Sequence, residues 1–304
     1  MSKFSSTRAA PRAAGQVDSG VPSRPLAAPG HWLRRLLRSP SALAGSSLLS
    51  LVLAMALLAP VLFPGDPLDM VAEPFIHAGT DPAYWLGTDM MGRDLLAGIL
   101  HGARASLTIA LVSTAVALLV GISGGVLAGY YGGRADAVLM RVTEFFQTIP
   151  SFLFALAIVA VVQPSLSSIA LAIGVTAWPS LARLVRAEVL RLRHGEMVQA
   201  SVALGAGDAR IILREILPNA LTPILVSTSL MVATAILTES SLAFLGLGDP
   251  NVASWGNMVG AGREVLRTDW TIATFPGIAI VITVLALNLL GDGLADVLDP
   301  RHRQ

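Results

Sequence analysis

The chain has 304 residues, of which 54% are hydrophobic and 13% charged, with a net charge of +1 and no cysteine. That composition excludes an ordinary soluble domain, in which roughly a quarter of the residues are charged. The lack of cysteine excludes a disulfide framework, a thiolate metal site and a thiol nucleophile.

Residues 1–41 read as a cytoplasmic tail. Up to about Gly30 they are rich in Ser, Pro, Ala, Gly and Arg without apolar period, which predicts disorder. Arg34, Arg35 and Arg38 then interleave with Trp32, Leu33, Leu36 and Leu37, an amphipathic lead-in at the membrane surface. A first transmembrane helix is expected over 42–63. Ala54-Met55-Ala56 resembles a signal-peptide cleavage site, but the apolar run continues past it to Phe63, which favours a span.

An extracytoplasmic segment, 64–105, precedes a core over 106–290. The core holds five more apolar runs, near 106–130, 142–162, 167–185, 219–245 and 271–290. Each approaches the roughly 20 residues that cross a bilayer. A polar cytoplasmic segment at about 190–218 separates the fourth and fifth spans, and 291–304 form a short tail. The expected fold is all-α, a polytopic bundle of six transmembrane helices. Six spans put both ends on one side. Of the 21 Lys and Arg residues, only Arg93, Arg104, Arg263 and Arg267 fall on the other side. The positive-inside rule therefore makes both termini cytoplasmic.

Few residues carry chemistry. Gly121-Ile122-Ser123-Gly124-Gly125 matches a serine-hydrolase pattern, but no histidine lies within a span to serve as base. Gly121, Gly125 and Gly129 instead make one helical stripe suited to close helix packing. Glu144 sits beside Arg141 and reads as half of a local ion pair. Glu239 lies deeper in its span and reads equally as a pathway acid or as a buried, hydrogen-bonded one. Scattered histidines give no metal-ligand spacing. No G-x-x-x-x-G-K-[ST] occurs, and the only lysine is Lys3, so any ATP must be handled elsewhere.

The segment from Met197 to Ala220 is the most informative. Helix formers run to Leu204, Gly205 and Gly207 can stop the helix, and Asp208 can cap a second one. Pro218 introduces the next span. The product is a helix–turn–helix projecting into the cytoplasm.

This segment resembles the EAA loop of ABC-importer permeases, E-A-A-x3-G followed by I-x-L-P. Gln199, Ala200 and Ser201 stand at its Glu-Ala-Ala, Gly205 at its glycine, and Leu217-Pro218 at its Leu-Pro, with the isoleucine at Ile216 one place late. Trp85-Leu86-Gly87-Thr88-Asp89-Met90-Met91-Gly92-Arg93-Asp94 is similar to the W-L-G-T-D-x-x-G-R-D signature of the peptide/nickel permeases. So are Glu239 to Gly248, Ser254-Trp255-Gly256-Asn257-Met258 and Asn288 to Arg301 to that family's other signatures. The resemblance is to C-type permeases of dipeptide and oligopeptide importers.

The resemblance implies a type I ABC-importer permease fold in the inner membrane of a prokaryote. It implies a translocation subunit that is no enzyme by itself and binds no cofactor. The implied partners are a homologous B-type permease, two ABC ATPase subunits that bind ATP and Mg, an extracytoplasmic solute-binding protein and membrane lipid, with no nucleic acid. Val198, Gln199, Ala200, Ser201, Ala203, Leu204, Gly205, Ala206, Asp208, Leu217 and Pro218 would form the ATPase-docking loop. Trp85, Gly87, Asp89, Gly92, Arg93, Asp94 and Trp255 would form an extracytoplasmic signature near the binding protein. Short peptides would be the default solute. The alternative is an ion-gradient-driven transporter using Glu239 or Glu144.

Overall fold

The computed structural model describes residues 39–298; the expected N-terminal tail and lead-in, and the last residues of the C-terminal tail, lie outside them. Ten α-helices are described. They are α1 (Pro40–Leu62), α2 (Leu95–Tyr131), α3 (Gly133–Thr148), α4 (Ser151–Val162), α5 (Leu166–Arg193), α6 (Glu196–Ala203), α7 (Asp208–Ile211), α8 (Leu217–Leu242), α9 (Trp255–Gly262) and α10 (Thr271–Leu298). Helices α1, α2, α5, α8 and α10 are each long and apolar enough to cross a membrane. Helices α3 and α4 qualify only together and are bent by 80°. The third span expected over 142–162 is thus interrupted by a bend. Pro150 disfavours helical backbone at the residue before it, and Ile149 takes φ −95° and ψ 128°.

Three other boundaries differ from expectation. Helix α2 starts at Leu95 rather than near 106, because the Asp94 side chain accepts from Leu96 N (2.8 Å) and Ala97 N (3.4 Å). Such a cap contributes about 1 kcal/mol. Helix α5 continues beyond 185 to Arg193, and α10 beyond 290 to Leu298.

Helices α2 and α5 run along each other in the most extensive pairing. The glycine stripe makes the seam. A Cβ on Gly121 would press on Leu181, one on Gly125 on Ala182 O and Val185, and one on Gly129 on Val189 and Arg186 O. The backbones approach because no side chain intervenes. Helix α1 meets α10 through Gly45 and Gly293 in the same way.

Three apolar clusters result. One joins α1, α2, α4, α5, α8, α9 and α10. Another gathers Val126, Val185, Val189, Val198, Ile211 and Ile216 at the cytoplasmic end, and a small third one holds Ala117, Trp178 and Ala182. Leu57, Val61, Leu119, Val161 and Val281 remain exposed around the perimeter. In a bilayer such residues meet lipid, where leaving them outside carries no cost.

Candidate functional site

Three regions concentrate polar side chains or an exposed apolar surface. The first is the cytoplasmic helix–turn–helix. Helix α6 ends at Leu204, and Gly205 takes φ +77°, a left-handed conformation that only glycine adopts freely. Leu204 N and Ala206 N donate to Ala200 O and Ser201 O, closing the helix end. The turn is anchored from below. Val198 is buried against Ile211 and Ile216, the Ser201 hydroxyl donates to Glu215 Oε1, and the Tyr130 hydroxyl donates to Asp208 Oδ1 at 2.9 Å. A π turn over Ile212–Ile216 runs straight into α8.

Above these anchors Gln199, Ala200, Ala203, Leu204, Gly205, Asp208 and Pro218 are exposed, while Ala206, Ser201 and Leu217 are half-buried. Met197, Val202 and Leu204 are apolar yet exposed, Leu204 to 87%. A lone exposed leucine is ordinary, but a small apolar surface on a rigidly braced hairpin has the form of a docking site.

The second region is a cavity of about 370 Å³ halfway along α2, α5 and α8. Its walls carry Ser113, Thr114, Ser151, Thr176, Ser227 and Thr234 and no charged residue. Several hydroxyl protons are already used. Thr234 and Thr176 donate to the carbonyls four residues back, at 2.8 and 3.0 Å, and Ser113 donates to Ala110 O. Their oxygens are left as acceptors. The Thr114 hydroxyl is buried and has no partner among the described residues. This hydroxyl lining was missed in the sequence. The recurrence of Ser227, Thr234 and Thr238 along one face of α8 was its available signal.

The third region seals the outer end. Helix α9 dips back between α2 and α8. Trp255 is fully buried, its Nε1 donates to Ile99 O at 2.9 Å, and its backbone N donates to Ser106 Oγ. Gly102 leaves room for the Trp255 ring, and Gly256 lets α9 rest on Ser240 and Ala243. Glu239, 1% exposed, lies beneath and accepts from the hydroxyls of Ser254 (2.7 Å), Ser240 (3.4 Å) and Ser106 (3.5 Å). It therefore bridges α2, α8 and the start of α9, and it is not among the side chains lining the central cavity. Glu144 is exposed on α3, 3.3 Å from Arg141. A further ion pair, Arg186 with Asp136, ties α5 to α3 and had no sequence signal.

The 64–94 segment folds over this outer end. Thr88 is its hub: it receives Ile76 N on its hydroxyl, donates that hydroxyl to Glu73 O, and donates its own N to Ile76 O. Gly87 and Gly92 have φ +81° and +76°, and any Cβ there would strike Ile76 O or Ala72 O. Asp89 accepts from Met91 N and Arg93 N, so it shapes a turn, while Trp85 is 71% exposed. Burial pushes the Asp94 carboxyl above its usual range, against the opposing hydrogen bonds from Leu96 and Ala97. His77 Nδ1 lies 2.9 Å from Asp269 Oδ2, joining this segment to the loop before α10. Trp85 and Trp255 thus sit apart, one on the surface and one in the core. Among the described residues no three His, Cys, Asp or Glu side chains gather as a metal site.

Comparison with known proteins agrees with this geometry. The family described as binding-protein-dependent transport system inner membrane component matches residues 121–304, and the N-terminal transmembrane domain of oligopeptide transport permease C matches residues 30–78. A di/tripeptide transport system permease of Pseudomonas aeruginosa is 39% identical over 86% of this chain and 88% of its own length. A putative peptide transport system permease of Brucella suis is 44% identical over 88% and 90%, and a glutathione transport system permease of Pectobacterium atrosepticum 38% over 89% and 90%. The inward-facing MetNI methionine ABC transporter matches in fold with a TM-score of 0.56 at 20% identity, covering 66% of this chain and 97% of that one.

Proposed function

The chain belongs to the binding-protein-dependent transport system inner membrane components, and from that premise we propose that it is the C-type permease subunit of an ABC importer of short peptides. Relatives named for di/tripeptide and peptide transport support that solute class. The observation that carries the reading is one of continuity. Helix α8 begins at the exposed cytoplasmic hairpin, lines the central cavity at mid-length and ends beneath α9.

Helix α6 and the Gly205 turn would seat in a groove of an ATPase subunit, with Leu204, Ala200 and Ala203 at the contact. Two such ATPases bind ATP and Mg; this chain holds neither and catalyses nothing. When they close, the hairpin moves, and Val198 together with the Ser201–Glu215 bond carries the displacement into α5 and α8. Packed helices then rock as units about an interface shared with a homologous B-type permease. The central cavity faces alternately outward, beneath α9, and inward. Hydroxyl oxygens whose protons are spent on backbone carbonyls accept from the amides and ammonium of a passing peptide, without regard to its side chains. A solute-binding protein would deliver the peptide to the outer face, over the Trp85–Asp94 segment.

The test is purification of the tagged chain with its partners, reconstitution in vesicles and assay of labelled dipeptide uptake. Vanadate-sensitive ATP hydrolysis and uptake that requires ATP and binding protein are expected. Uptake by the isolated chain down a proton gradient would refute the reading.

A further inference from the structure

A cavity of about 440 Å³ lies on the extracytoplasmic side, between the 64–94 segment and the stretch from α8 to α9. Its wall carries Asp89, Arg93, Asp94, Arg263 and Glu264. Arg93 is the anomaly. Its Nε is shielded from solvent with no hydrogen-bond partner, and its guanidinium makes no ion pair among the described residues. Arg93 is half-buried, but a charged donor shielded from solvent, as its Nε is, is ordinarily paired, because leaving it unmade is costly. Arg263 differs: its Nη1 donates to Phe244 O, and its guanidinium lies 5.0 Å over the Phe244 ring, so it is held as part of the wall. Asp89 and Asp94 each use Oδ1 for backbone amides, while Oδ2 has no partner among the described residues.

We propose that this cavity is a receiving subsite for a small zwitterion, a short peptide whose carboxylate pairs with Arg93 and whose ammonium faces Asp89, Asp94 and Glu264. The inference rests on the peptide-importer reading and adds to it a first contact on this subunit, before the central cavity. Three considerations support it. The volume lies in the range of roughly 300–1,000 Å³ typical of small-molecule pockets. A guanidinium fork matches a carboxylate in a bidentate geometry. Three carboxylates in the same wall disfavour a polyanion such as a phosphate ester, yet complement a solute with one charge of each sign.

The chain contains no cysteine, so Ala261→Cys, on the cavity wall, supplies a single thiol in this subunit. In the complete transporter reconstituted in vesicles, the rate of maleimide labelling of this subunit is read with and without millimolar Ala-Ala. Ala-Ala should slow labelling several-fold, whereas the same dipeptide acetylated at its amino end and amidated at its carboxyl end should not. Arg93→Gln should abolish the protection and Arg93→Lys should retain part of it. Equal protection by the capped dipeptide, protection indifferent to Arg93→Gln, or no protection would each overturn the proposal. So would protection by peptide-free binding protein, which would make the cavity a protein-docking face. The capped-against-free comparison needs no change at Arg93, so it decides the matter even if Arg93→Gln fails to assemble. Failure of the importer reading is a separate result, the absence of ATP-driven Ala-Ala uptake by the same vesicles.

Discussion

The seam between α2 and α5 makes a graded prediction, because neighbouring glycines on one helix face different surroundings. At Gly124 an added Cβ meets nothing within 4 Å. At Gly121 it meets only the Leu181 side chain at 2.9–3.1 Å, whose Cγ and Cδ2 can give more readily than backbone. At Gly125 it meets Ala182 O at 2.6 Å and Val185 Cβ at 2.7 Å, both fixed to the backbone of α5. Gly124→Ala should therefore be neutral or stabilise by up to about 1 kcal/mol, the helix-propensity difference between the two residues. Gly125→Ala forces the helices apart and should cost about 1–3 kcal/mol, typical of overpacking. That is roughly a 5- to 150-fold change in the folded equilibrium. Gly121→Ala should fall between. The assay is the fraction of monodisperse protein surviving a temperature series in mild detergent, read for the three variants side by side. Indistinguishable curves for Gly124→Ala and Gly125→Ala would refute the claim that direct backbone approach holds this seam.

Other predictions bear on function and pH. Gly205→Val should leave ATP hydrolysis in the assembled transporter but uncouple it from uptake. The left-handed turn at φ +77° costs a non-glycine residue about 1–2 kcal/mol, and more for a β-branched one. Gly207→Ala, at φ −73°, should couple normally, and normal uptake in Gly205→Val would sink the idea. Glu239→Leu strips the acceptor from the Ser254 and Ser106 hydroxyls, Ser240 keeping Ile236 O, and should lower thermal stability by about 1–3 kcal/mol per hydroxyl left unpaired, whereas Glu239→Gln should largely preserve ATP-driven uptake. Abolished uptake in a stable Glu239→Gln transporter would instead favour a proton relay. Burial acts most strongly on Asp269 and opposes its ionisation, yet hydrogen bonds from Thr271 and His77 together hold its pKa below the ordinary 3.8. Its contribution to stability is then full above that value and lost as pH falls through the lower, folded one. Asp269→Asn should remove that component, so its acid melting curve below about pH 4 should be shallower than the parent's. Superimposable acid limbs would exclude the role.

Much of the architecture is written in local chemistry. An apolar run long enough to cross a bilayer must be helical, since lipid satisfies no backbone hydrogen bond. Five of the runs in this chain therefore marked their spans without tertiary information, while the 142–162 run is interrupted by a bend before Pro150. Spacing alone also placed Gly121, Gly125 and Gly129 on one face, because helical period is a property of the backbone. The turn at Gly205 was legible for a similar reason, as glycine is the residue that enters left-handed backbone cheaply. The start of α2 was legible in principle. Asp94 before an apolar run is a cap signal, but the polarity of the flanking residues drew the expected boundary too late.

Other features depended on partners distant in the chain. Glu239 read equally as a pathway acid or a buried one, and three serines from α2, α8 and the start of α9 give it its surroundings. Trp255 belonged to a signature of the outer face, yet Gly102 and Ile99 receive it into the core. The pairing of Arg186 with Asp136, the hydroxyl-lined cavity and the unpartnered Arg93 arise only where separate helices converge. Hydropathy and helical period are set residue by residue and by near neighbours, so the sequence determined that this is a multi-span helical membrane bundle with a helix–turn–helix between two of its spans. Where a charge or hydroxyl ends up depends on which helices pack beside it, and only the tertiary structure decided that.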